Sequence, residues 1–333
     1  MEHSEAAFDP ATDEPQVIYP PKYEKTEGAV SNSWMRSLAS LAVYLFLGYY
    51  VFQSFTMLLV ITAIVIIHEM GHFLAMKYYG YKDLGIFFIP LLGAYVSGSK
   101  REVSQRESAI ILLAGPMPGI IFGAVLYLVF KQNPYIEFWG VSLYTISMMF
   151  ILLNLINLLP VYPLDGGQLL NRVFLDEVSW LSKAFVLLSI AALTWFALFG
   201  TERPIYILLI FPAMMLFRLW GDNSMNKVEK KIGEEGLDMD KSYEDLTDEE
   251  YWKIRAVLIS EQASFRDTDP GPPYEYSRQE EKIMLMIKSL LHRHLLQDLP
   301  IAGKLLVFVV WAAGIASPWL INADLGFLRY FGL

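Results

Sequence analysis

The chain has 333 residues, 54% of them hydrophobic and only 18% charged, with a formal net charge of −9. Soluble domains are usually about 45–50% apolar even when glycine is counted, so this composition reads as a multi-pass membrane protein. The acidic balance excludes nucleic acid as a partner, and the absence of cysteine excludes disulfides and thiolate metal ligands.

Residues 1–34 are polar, acidic and proline-containing, which predicts a disordered tail. They lack the apolar stretch of a cleavable signal peptide. Apolar spans follow at about 36–52 and 55–78, each near the roughly 20 residues a bilayer crossing needs. Residues 86–96 (Ile86-Phe87-Phe88-Ile89-Pro90 to Tyr95-Val96) are apolar but too short and too broken to span. They read as a hairpin dipping into the membrane, which is tolerated where protein or water satisfies its backbone. An ordinary surface hairpin is the alternative. A third span at about 108–130 contains Ala114-Gly115-Pro116-Met117-Pro118-Gly119. Its small residues admit a close neighbour and its prolines should bend it.

A fourth span at about 138–159 leads into Pro160-Val161-Tyr162-Pro163-Leu164-Asp165-Gly166-Gly167. A fifth runs over about 181–199 and a sixth over about 204–219. Residues 221–299 are polar. Thr247 with Glu250, and Ser277 with Glu280, have capping-box spacing, predicting helices to about Ala263 and Leu296, with a break at Gly271-Pro272-Pro273. The second carries an apolar stripe, Ile283, Met286, Ile287, Leu290 and Leu291, suited to the other helix or to a membrane surface. His292 and His294 are two apart and share no helical face, so they read as solvated. A seventh span covers about 304–322.

The expected fold is an all-α multi-pass membrane protein of about seven transmembrane helices. It carries a small membrane-reentrant β-hairpin at about 84–99 and a helical cytoplasmic segment. Its parts are a disordered cytoplasmic tail (1–34), a core of six spans (35–220), the cytoplasmic segment (221–300), and the seventh span with a short tail (301–333). Lys and Arg concentrate in residues 77–107 and 218–300, which places those segments and the N-terminus in the cytoplasm.

Within the second span stands His68-Glu69-Met70-Gly71-His72. Ionisable side chains at membrane depth are costly and mark function. On a helix the two histidines share a face, so both imidazoles can bind one metal with Glu69 beside it as a base. Zinc sites of this type take a third protein ligand and keep a position for water. Asp165 is the acid in the most suitable context, after a span returning to the same side. An aspartate before Gly-Gly is equally an ordinary turn residue.

His68-Glu69-Xaa-Xaa-His72 in a span, followed by Asn157-Leu158-Leu159-Pro160-Val161-Tyr162-Pro163-Leu164-Asp165-Gly166-Gly167, resembles the site-2 protease family of intramembrane zinc metalloproteases. Residues 89–96 resemble its reentrant hairpin, and Ala114-Gly115-Pro116 its next span. The likeness covers about residues 55–175. It implies Zn2+ as cofactor, His68, His72 and Asp165 as its ligands, Glu69 as catalytic acid/base, and Asn157 as substrate-binding. The implied substrates are single-span membrane proteins in the lipid bilayer. Residues 221–300 have no counterpart in the family; their acidic charge and capped helices suggest a binding platform for a cytoplasmic regulator, or a gate. Two positions depart from the pattern: Gly93-Ala94 stands for Gly-Gly, and Gly119 stands where many members have Asn. A prenyl-protein endopeptidase would use a glutamate from a later helix. A transporter would show paired repeats, and a non-catalytic scaffold would have lost Glu69 or a ligand. Asn157 has a second reading, as rescue for a carbonyl freed by Pro160.

Overall fold

The computed structural model describes residues 19–24, 33–52, 54–90, 93–100, 103–175, 179–201, 203–239, 241–291 and 295–323. Most of the predicted tail lies outside them, as do His3, His292 and His294. The chain divides into two compact units, one from residues 29–220 and 294–333, the other from residues 1–28 and 221–293.

The first unit is apolar and mostly helical. It begins with α1 (Ser33–Phe52) and α2 (Phe55–Tyr78). The side chain of Ser54 caps the N-terminus of α2 by accepting from the backbone N–H of Met57, which fixes where the second helix starts. β1 (Lys82–Ile89) and β2 (Gly93–Ser99) then pair antiparallel, with Phe88 opposite Ala94 and Ile89 opposite Gly93. The hairpin leans on α1: the Phe88 N–H donates to Ser40 Oγ at 3.1 Å, and the rings of Phe88 and Tyr44 lie 5.8 Å apart.

The third expected span is two helices, α3 (Gln105–Ala114) and α4 (Pro116–Phe130), divided at Gly115. Pro116 occupies the first position of α4, where its missing N–H costs nothing. Gly119 and Gly123 then face α5 (Leu143–Asn157). A Cβ at Gly123 would sit 2.8 Å from Phe150 Cβ, so these glycines let the two backbones approach. The fourth apolar stretch is shorter than expected, because residues 137–142 fold as a second small hairpin, β3 (Glu137–Phe138) with β4 (Val141–Ser142). At about 1.5 Å per residue, the 15 residues of α5 reach roughly 22 Å.

A short helix α6 (Asp165–Leu169) runs into a π-helical turn, Leu170–Phe174. After α7 (Trp180–Phe199), a 3-10 turn (Tyr206–Leu209) opens α8 (Ile210–Glu234). The helix does not stop near residue 219, where the sixth apolar span is expected to end. Pro212 lies in the first turn, where proline is tolerated, and no proline follows within the helix, so α8 runs on into the polar sequence. α11 (Ile301–Leu320) closes the unit, and its Trp311 donates Nε1–H to Leu158 O at 2.9 Å. Among the described residues, four helical stretches are long and apolar enough to cross a membrane: Phe55–Tyr78, Gln105–Phe130, Trp180–Phe199 and Ile301–Leu320.

The second unit contains α9 (Asp248–Glu261) and α10 (Glu280–Leu291). Thr247 and Glu250 form the full capping box at the start of α9. α10 ends at Leu291; Leu296 instead bridges to Ser104 in the first unit. The stripe of α10 faces inward: Ile283, Ile287, Leu290 and Leu291 are buried with Trp252, Ile254 and Leu258 of α9. Arg255 lies fully inside, donating Nε–H and Nη2–H to the two oxygens of Glu280 at 2.8 and 3.1 Å. Residues 19–24, assigned from composition to the disordered tail, are ordered here and held against this unit.

Candidate metal centre

His68, Glu69 and His72 are all buried, though they sit on an otherwise apolar helix. A spacing of four brings the two imidazoles to one face of α2, with their Nε2 atoms 3.1 Å apart. Each Nδ1 is engaged elsewhere. His68 Nδ1–H donates to Asn154 Oδ1 at 2.8 Å, and His72 Nδ1–H donates to Ile111 O at 2.8 Å. The Asn154 amide is oriented by its own Nδ2, which donates to Phe150 O at 2.7 Å. With the proton on Nδ1, each Nε2 presents a lone pair.

Asp165 is brought to the same point by the irregular chain between α5 and α6. Pro160 cannot donate to Ile156 O, and Leu159 N–H takes that acceptor instead at 3.1 Å. Two further bonds hold the loop: Tyr162 N–H to Ser189 Oγ at 3.1 Å, and Gln168 Nε2–H to Pro163 O at 2.9 Å. Asp165 Oδ2 then lies 3.0 Å from His68 Nε2 and 3.3 Å from His72 Nε2. It is buried and accepts no hydrogen bond.

In the tautomer with the proton on Nδ1, two nitrogen lone pairs and a carboxylate oxygen thus converge within 3.3 Å of one another. Such atoms repel unless a cation lies among them. Two imidazoles and one carboxylate are the donors of a known catalytic zinc set, so the residues fit a metal. His68, His72 and Asp165 form a group that could hold an ion. Space for it depends on Gly115: a Cβ there would sit 2.3 Å from His72 Nε2 and 2.9 Å from His68 Nε2.

A cavity of about 90 Å³ opens beside this cluster, lined by His68, Glu69, Asn154, Asn157, Gly93 and Ala94 among others. Asn157 therefore reaches the same cavity as Glu69. Its Nδ2 donates to Leu153 O at 3.1 Å, and that is not the carbonyl that Pro160 frees. Asn154 was missed in the sequence. Its only signal was an amide on an apolar helix one turn before Asn157, and its partner is 86 residues away. Gly119 makes room for it, since a Cβ there would lie 2.2 Å from Asn154 Nδ2.

The profile of Peptidase family M50 matches residues 56–137. That range includes His68, Glu69 and His72, but neither Asn157 nor Asp165. The chain is 32% identical over 120 residues to zinc metalloprotease MJ0392 of Methanocaldococcus jannaschii, covering 36% of this chain and 34% of that one. It is 27% identical over 173 residues to stage IV sporulation protein FB of Bacillus subtilis, covering 48% and 57%. The chain thus spans about a third to somewhat over half of these curated relatives. A solved site-2 protease from Methanocaldococcus jannaschii aligns at 24% identity with a TM-score of 0.39, covering 55% of this chain and 85% of that one. Residues 56–137 thus carry the pattern of Peptidase family M50, in a chain that is also similar to a zinc metalloprotease over 120 residues.

Proposed function

We propose that the protein is an intramembrane zinc metalloprotease, hydrolysing peptide bonds within or next to the transmembrane helices of single-span membrane proteins. The observation that carries this is the convergence of His68 Nε2, His72 Nε2 and Asp165 Oδ2, next to a cavity that His68 and Glu69 line together with Gly93 and Ala94 of β2. Zinc held by those three side chains would lower the pKa of a water towards neutrality and polarise a peptide carbonyl.

The remaining work falls to the chain's own residues. The Glu69 carboxylate takes the proton of the attacking water and returns it to the leaving amine nitrogen. Asn154 and the Ile111 carbonyl fix the tautomer and orientation of the two imidazoles. Asn157 offers an amide N–H to the substrate carbonyl as negative charge develops on its oxygen. A helical substrate must unwind before its carbonyl is accessible, and the β2 edge at Gly93 and Ala94 pairs with the unwound strand.

This reading extends the four apolar crossings to seven by adding α1, α5 and the apolar first half of α8. Seven crossings put the N-terminus, the metal centre and residues 221–300 on the cytoplasmic side, as the Lys and Arg near the helix ends favour. Residues 221–300 then serve as a platform for a cytoplasmic regulator.

The test uses purified chain in liposomes with a single-span substrate tagged at both ends. A fragment should appear with wild type, disappear on chelation and return with added zinc. Equal cleavage by Glu69→Gln protein of unchanged zinc content would overturn the assignment.

A further inference from the structure

Tyr19, Pro20, Pro21, Lys22, Tyr23 and Glu24 cross the polar unit without helix or strand. Two prolines in succession give up two backbone donors and favour an extended course. The carbonyls of this segment are met one by one by aromatic donors. Trp252 Nε1–H donates to Pro20 O at 2.8 Å, Tyr276 O–H to Pro21 O, and Tyr243 O–H to Tyr23 O at 2.5 Å. The Lys22 backbone N–H donates to Asp248 Oδ1 at 2.7 Å.

The side chain of Lys22 has its own receptor. Its ammonium donates to the carbonyls of Tyr243, Glu244 and Leu246 at 3.2, 2.5 and 2.8 Å, using all three of its protons. The flanking rings pack as well: Tyr19 lies 5.0 Å from Tyr274, and Tyr23 lies 5.6 Å from Tyr276. Trp252 and Tyr276 stack 5.8 Å apart, forming a continuous aromatic floor.

The segment behaves as a ligand of this unit and not as part of its core. Every buried member of the hydrophobic cluster lies between Val228 and Leu291. Tyr19 and Tyr23 only touch its rim, and none of residues 19–24 is buried. An aromatic-lined groove that holds an extended Pro-Pro segment by its carbonyls is one of the recurring ways proteins recognise proline-rich peptides.

We propose that this face is a recognition site for an extended aromatic-Pro-Pro-Lys-aromatic peptide. The chain's own Tyr19–Tyr23 occupies it, and a segment of the same chemistry from another protein replaces that occupant. The inference rests on reading residues 221–291 as a binding platform, and it is independent of the proteolytic assignment. A tethered occupant has an effective concentration of roughly millimolar order, so the free site is available to a partner only when the tether is weakened or outcompeted.

The experiment uses full-length chain in detergent and a fluorescein-labelled peptide of residues 17–26, read by anisotropy. A chain carrying Pro20→Gly, Pro21→Gly and Lys22→Glu should bind it at least tenfold more tightly than wild type; it should stay folded, with a melting temperature lowered by loss of the tethered occupant and restored by saturating peptide. Adding Tyr243→Phe and Tyr276→Phe keeps the rings but removes two donors, and should weaken binding about tenfold. A peptide with Lys22→Glu should not bind. The proposal is overturned if the triply substituted chain stays folded yet binds no peptide, or if binding ignores the Phe and Glu substitutions. Loss of the fold in the triple variant would also overturn it, since the segment would then be structural.

Discussion

Glu69 sits next to two imidazoles and a cavity, and its substitution separates binding from chemistry. Glu69→Gln leaves His68, His72 and Asp165 intact, so bound zinc should stay near one per chain by metal analysis. Cleavage should fall by about 10²–10⁴-fold, because an amide cannot accept the proton. Asn154 and Asn157 make a paired test. Asn154→Leu removes the acceptor of His68 Nδ1–H, and zinc affinity should drop about 10–100-fold in a competition titration. Asn157→Leu touches no ligand, so zinc should remain while turnover falls about 10²–10³-fold. If Asn157→Leu protein instead loses zinc along with activity, its role is structural.

Among the elements, the closeness of α4 and α5 carries the site. Gly119 and Gly123 face the same partner helix, but only Gly119 touches an amide that orients a ligand. Gly123→Ala should destabilise the fold by about 1–3 kcal/mol through overpacking and leave zinc affinity unchanged in the folded protein. Gly119→Ala should cost a similar amount and also weaken zinc, because its Cβ displaces Asn154. Thermal melting combined with zinc titration on both variants distinguishes the two effects. Equal zinc affinity in both would mean that Asn154 does not position His68.

For the whole molecule, two measurements address the two units. In the polar unit, burial pushes the Glu280 carboxyl up, but hydrogen bonds from Arg255, Tyr251 and the Ser277 N–H outweigh it. They hold its pKa below the ordinary value of 4.5. A carboxyl with a depressed folded pKa adds stability that is complete above its unfolded value and is lost as pH falls through the folded one. Melting temperature should therefore decline below about pH 4.5. Glu280→Gln should flatten that decline, at the cost of part of the ion pair's stability at neutral pH. Topology is accessible because the chain has no cysteine. With seven crossings, Tyr135→Cys should react with an impermeant maleimide from outside intact cells, and Glu244→Cys only after permeabilisation. The reverse pattern would invert the orientation.

Much of this was legible in the sequence because it is local. Period 3.6 puts His68 and His72 on one face. Thr247 and Glu250 cap α9 by spacing alone, and Pro116 marks the helix break at Gly115. Membrane depth made the ionisable residues of α2 conspicuous, since each is too costly to sit there idle. What the sequence could not show depends on pairs far apart in the chain. Asp165 is a ligand candidate from its setting and from the family resemblance, but an aspartate before Gly-Gly also suits an ordinary turn; only the loop after α5 folding back onto α2 brings its Oδ2 within 3.3 Å of both imidazoles. Asn154 gains its meaning from a histidine on another helix, and that contact exists only because Gly119 leaves room for it. Residues 19–24 carry the composition of a disordered tail. Their order comes from hydrogen-bond partners more than 200 residues away, and local propensity carries no information about such contacts.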